Sequence, residues 1–93
     1  MNFLKLQYFM DTVECGSITK AAEKNYIAQP AVSQQIHDLE RELGYRLFDR
    51  FSRNIVLTDA GKSFYRYSCI MMKSYKEMKR AICDIESGKT EGR

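Results

Sequence analysis

From Thr58 to Glu86 the chain carries no proline and, past Gly61 in the first turn, no glycine. Along it Phe64, Tyr67, Met71, Ser74, Met78, Ala81 and Ile85 recur in steps of three and four, a heptad seam sustained for about three repeats. Ile70, Tyr75 and Ile82 widen the seam, and Cys69 and Cys83 read as lying on the opposite, outer side. Thr58 supplies an N-cap and Asp59 an acidic first turn. At 1.5 Å per residue this predicts a helix of roughly 40–45 Å. A rod that long cannot bury its stripe against a small head alone, whereas the same helix of a second chain can cover it. A ligand box built from its tyrosines and methionines is the other reading of the stripe.

The residues before the rod predict three shorter helices. Phe3, Leu6, Phe9, Met10 and Val13 mark one face of a helix over 2–14, which Gly16 ends. Ser17 caps a short helix containing Lys20, Ala21, Ala22 and Glu23, and Asn25 closes it in left-handed geometry. The paired alanines leave room for a close helix crossing. A third helix starts near Gln29 and Pro30, buries Val32, Ile36, Leu39 and Leu43, and stops at Gly44. Leu47-Phe48 and Ile55-Val56-Leu57 then have strand character across the polar turn 49–54, which signals a two-stranded hairpin.

Charge is informative only when divided. Residues 1–57 carry seven basic and seven acidic side chains, and residues 58–93 carry eight and five, which is the whole net charge of +3. Binding to nucleic acid therefore has to be argued from where particular residues sit. Three cysteines with no C-x-x-C spacing point to reduced thiols rather than a disulfide framework or a zinc site. The N-terminus has no apolar run long enough for a signal peptide or membrane span, so the cytoplasm is the expected location.

With Val32, Ile36 and Leu39 inward, the outer face of the third helix presents Gln29, Pro30, Ser33, Gln34 and His37. Amide and hydroxyl side chains near a helix N-terminus suit base edges in a major groove. Gln pairs bidentately with adenine, and proline can meet a thymine methyl. An ordinary solvated face is the other reading. Arg46, Arg50 and Arg53 lie on or beside the hairpin, with Lys62 close behind, and suit phosphates or a narrow minor groove. For Arg50 an ion pair with Glu40 or Asp49 stands beside that. The lone His37 lacks companions at ligand spacing, so no metal site is expected. No catalytic set or phosphate loop is visible, so no enzyme is expected either.

Gly16-Ser17-Ile18-Thr19-Lys20-Ala21-Ala22, then Gln29-Pro30-Ala31-Val32-Ser33-Gln34-Gln35-Ile36, Leu39-Glu40, Leu43-Gly44, Leu47-Phe48-Asp49-Arg50 and Leu57-Thr58-Asp59-Ala60-Gly61 together resemble the LysR-type transcriptional regulators. The resemblance covers residues 1–61. It implies a mainly α fold, a winged helix-turn-helix of three helices plus a two-stranded wing, followed by a long dimerising linker helix. It also implies binding of partly palindromic promoter DNA as a homodimer, with tetramers an option in the full-length protein. Gln29, Pro30, Ser33, Gln34 and His37 would read bases. Ser17, Lys20, Gln35, Arg50 and Arg53 would hold backbone or wing contacts. Phe64, Tyr67, Met71, Met78 and Ile85 would form the dimer interface. Three positions depart from the family pattern. Gln34 stands where Arg is usual, which favours adenine over guanine. Ala28 stands where a capping Ser is common, and titratable His37 replaces a frequent basic residue.

The expected division is a DNA-binding head at 1–57, a linker and dimerisation helix at 58–87 and a hinge tail at 88–93. Family members continue into an effector-binding domain, and this chain stops where its hinge would begin, which implies a shortened form. No cofactor is expected here, because a small-molecule inducer would bind that further domain. The near-neutral head keeps one rival open, a winged helix used for protein–protein assembly.

Overall fold

The computed structural model describes residues 1–88, so the expected hinge tail lies outside the described residues except for Gly88. Four helices follow in order: α1 (Phe3–Cys15), α2 (Ile18–Lys24), α3 (Gln29–Leu43) and α4 (Asp59–Glu86). Their ends obey local chemistry. The side chains of Asn2, Ser17 and Thr58 each accept a hydrogen bond from the backbone N–H three residues on, at 2.9, 3.1 and 3.0 Å. Gly16 and Gly44 close α1 and α3 at φ 70° and 81°, the left-handed region where a side chain would be strained.

The head packs as two adjoining clusters. Leu6, Phe9, Met10, Leu39, Leu47 and Met72 form one, and Tyr8, Ala22, Val32 and Ile36 form the other. Phe48 packs against both, so the segment after α3 is seated on the same core. Ala21 and Ala22 are fully buried, as a close α2–α3 crossing requires. Gly61 has a similar reason: a Cβ there would collide with the carbonyl oxygen of Leu47.

The start of α4 belongs to the head, and the rest projects from it. Phe64 stands edge-on to Phe9 with ring centroids 5.0 Å apart, and Tyr75 stacks on Phe3 at 4.5 Å. Cys69, expected on the outer side, packs against the main core, because the face that meets α1 runs through Phe64, Ser68, Cys69, Met72 and Tyr75. Cys83 is exposed. Tyr67, Ile70, Met71, Met78, Ile82 and Ile85 stay exposed along a separate stripe. The chain measures 53 × 27 × 19 Å, so its long axis is set by this rod. Among the described residues no helix is long and apolar enough to cross a membrane.

The expected two-stranded wing is reduced here to one antiparallel bridge, Phe48 with Leu57. Two backbone bonds flank it, Asp49 N–H to Val56 O at 2.8 Å and Thr58 N–H to Leu47 O at 3.0 Å. Local side chains capture the backbone that would have extended the ladder. The Asp49 carboxylate accepts from Phe51 N–H at 3.0 Å, and Ser52 Oγ accepts from Asn54 N–H at 3.2 Å. A second departure concerns the turn after α2. Asn25 has φ −99°, and Tyr26 instead takes the left-handed conformation at φ 58°.

Candidate nucleic-acid interface

Gln29, Pro30, Ser33, Gln34 and His37 all lie on the side of α3 away from its buried Val32, Ile36 and Leu39. Ser33 is half-buried and the other four are exposed, so this face is free among the described residues. Gln34 Nε2 donates to Asp38 Oδ1 at 3.0 Å, which leaves its amide oxygen unengaged. His37 Nδ1 sits 3.9 Å from Glu40 Oε1. Gln35 is half-buried at the edge of the same face.

The N-terminal turn of α3 is uncapped. Ala28 makes no side-chain cap, and Ala31 N–H bonds to Ala28 O at 3.0 Å. Pro30 has no N–H to offer. The N–H groups of Ala28 and Gln29 therefore point out of the helix end, where partial positive charge favours an anion. Ser17 and Lys20 stand at the N-terminus of α2. Ser17 Oγ accepts from Lys20 N–H, which leaves its O–H free to donate, and the Lys20 side chain is exposed.

Two buried or half-buried carboxylates, Asp11 and Glu40, hold this surface in place. Asp11 is 1% exposed, and its carboxylate accepts from Gln7 Nε2 at 3.0 Å, Lys24 Nζ at 2.9 Å and Asn25 Nδ2 at 2.9 Å. Asn25 Nδ2 also donates to Ala21 O at 2.8 Å. The turn leading into α3 is thereby tied to α1. Asp11 in turn holds the Lys24 ammonium above the ordinary lysine pKa through that hydrogen bond and its charge. Glu40 does the matching work at the other end. Its Oε2 accepts from Leu47 N–H at 2.8 Å and Phe48 N–H at 3.4 Å, which fixes the root of the 49–56 loop to α3.

Among the described residues Arg50 forms neither of the two ion pairs open to it, with Glu40 or with Asp49, and Arg53 is in no ion pair either. The Arg50 guanidinium instead lies 5.9 Å from the centre of the Phe51 ring. Both arginines are exposed on a loop anchored beside the α3 face. Two aromatic side chains escaped notice in the sequence: Tyr26 in the turn before α3 is 95% exposed, and Phe51 at the loop tip is 88% exposed. Of the five seam residues, Tyr67, Met71, Met78 and Ile85 are exposed on α4, while Phe64 is half-buried against Phe9.

Comparison with known proteins agrees with this geometry. Residues 3–62 match the family model described as bacterial regulatory helix-turn-helix protein, lysR family. The nitrogen assimilation regulatory protein nac of Escherichia coli (strain K12) is 41% identical over 85 residues, which are 91% of this chain and 28% of that protein. The HTH-type transcriptional regulator BenM of Acinetobacter baylyi is 44% identical over 78 residues, 84% of this chain and 26% of that one. The chain thus spans less than a third of the length of these curated relatives. Among solved structures, BenM DBD in complex with catB site 1 DNA superposes with a TM-score of 0.96 at 40% identity, covering all of both chains. Full-length CbnR complexed with its target DNA gives 0.85 at 28% identity, over 95% of this chain and 29% of that one.

Proposed function

Because the chain belongs to the LysR family of bacterial regulatory helix-turn-helix proteins, we propose that it is the DNA-reading part of a transcription regulator that binds promoter DNA as a homodimer. The observation that carries this reading is the free outer face of α3, rigidly backed by α1 and α2 and uncapped at its N-terminus. Its curated relatives are transcription regulators, and its structural neighbours include such heads bound to DNA.

The division of labour follows from chemistry. Gln29, Pro30, Ser33 and Gln34 meet base edges in the major groove, with His37 at the far end of the face. Gln34 exchanges its bond to Asp38 for a bidentate pair with adenine. Ser17, Lys20 and Gln35 meet phosphates, as does the open end of α3. The 48–57 segment serves as a wing, with Arg50 and Arg53 over phosphates or the minor groove. The exposed α4 stripe of Tyr67, Met71, Met78 and Ile85 pairs with that of a second copy, which spaces two reading helices for half-sites roughly 34 Å apart. In this reading the segment works in the bacterial cytoplasm, catalyses nothing and needs no cofactor. Any inducer acts through a further domain of the regulator.

Mobility shift on promoter DNA at two salt concentrations tests the proposal. A reader that neutralises several phosphates weakens by orders of magnitude between 50 and 200 mM salt. Absence of binding, or binding indifferent to salt, would mean that the head assembles with protein instead.

A further inference from the structure

Phe51 occupies a place where a large apolar ring has no structural task. It is 88% exposed and belongs to neither core cluster. Its backbone is nevertheless held in the turn. Its own N–H bonds to the Asp49 carboxylate at 3.0 Å, so the nearest acidic group is engaged in holding the turn. Arg50 lies against the ring, and Arg53 and Arg46 stand exposed on the same segment. The loop is rooted on α3 by Glu40 and on the core by the Phe48 ring, 5.3 Å from that of Phe9. Only Asp49 and Arg50 lie between Phe48 and Phe51, three steps of chain with a reach of at most about 10 Å.

Resting on the DNA reading above, we infer that Phe51 is a specificity-determining wedge that enters the minor groove beside the half-site read by α3. The flanking arginines are drawn to the phosphates on the two groove walls, and the ring between them then meets sugars and base edges. Apolar side chains inserted at such a place partly unstack one base step and kink the duplex. Pyrimidine–purine steps such as TA and CA yield most easily, so the wedge selects a deformable step that no side chain hydrogen-bonds. The occupant of the exposed ring is therefore duplex DNA, favoured by the positive charge around it over an apolar protein surface.

Selection of bound duplexes from random DNA by the native protein, Phe51→Ala and Phe51→Leu tests this, with bending read by permuted-site electrophoresis. The native pool and the Phe51→Leu pool should share TA or CA steps flanking the half-site. The Phe51→Ala pool should keep the half-site bases but lose that enrichment, bind native-selected DNA about tenfold more weakly and bend it less. Thermal melts of all three should coincide, because Phe51 supports no core. Native and Phe51→Ala pools that are identical at the flank, with equal bending, overturn the wedge while leaving the DNA reading intact. Failure of the native protein to enrich any sequence overturns both.

Discussion

The side-chain amide of Asn25 donates to the buried carboxylate of Asp11 at 2.9 Å, so the turn that launches α3 is held by the middle of α1. Replacing Asp11 by Ala removes the acceptor of three side-chain donors and leaves the half-buried Asn25 amide with only Ala21 O. We expect a loss of roughly 3 kcal/mol in urea unfolding, in the range for breaking a buried, charge-assisted network. Lys24→Met, which removes a half-exposed partner, should cause a clearly smaller loss. Equal effects of the two would contradict a network centred on Asp11.

Alkaline pH should weaken the fold through two groups. Asp11 raises the Lys24 pKa, and burial, with Cys69 and Glu14 beside it, pushes the Tyr65 phenol well above the ordinary tyrosine value. Tyr65 OH donates to Glu14 at 3.1 Å. Both folded-state values lie above the unfolded ones, so their contributions are full below about pH 10 and are lost as pH rises through the folded values. Urea midpoints should be insensitive to these two groups from pH 7 to 9 and fall above pH 10. Tyr65→Phe should flatten part of that fall; an unchanged profile would remove Tyr65 from the account.

Met78 lies beyond Tyr75, where the last aromatic stack between α4 and α1 occurs, so Met78→Lys should leave the head folded. A charge in the stripe should convert a dimer to a monomer in sedimentation. It should also weaken binding to a two-half-site operator by roughly 100-fold, the scale on which linked sites strengthen one another. A dimer that survives the change would place the interface elsewhere.

Base-reading and backbone positions should separate in binding assays. Ser33→Ala should relax discrimination at one base pair by about 1 kcal/mol or more with the other positions unaffected. Arg53→Ala should weaken all sequences alike and reduce the salt slope by about one. The same pattern from both variants would contradict the assignment.

Much of this was written locally in the sequence. Gly16 and Gly44, the caps Ser17 and Thr58 and the spacing of Val32, Ile36 and Leu39 each act within a turn or two of the residue concerned, so they place the four helices. The features that were not legible depend on distant partners. Nothing local distinguishes Glu40, which bonds seven and eight residues ahead, from a solvated glutamate. No neighbour in the sequence marks Asp11 as the anchor of a turn 14 residues on. Cys69 packs inward because α4 carries two apolar faces, one for α1 and one left exposed, and periodicity alone merges Phe64 and Tyr75 of the first with the seam of the second. Of the expected hairpin the Phe48–Leu57 bridge forms, and nearer the tip Asp49 and Ser52 take up the backbone N–H groups of Phe51 and Asn54.

The direct test is the operator itself. Duplexes selected by the native protein should contain two inverted half-sites about one helical turn apart, with adenine favoured at the position facing Gln34. Gln34→Arg should turn that single position towards guanine and leave the rest of the site as it was. Selected duplexes that show no paired half-sites, or that do not change when Gln34 becomes Arg, would contradict a reading surface on α3.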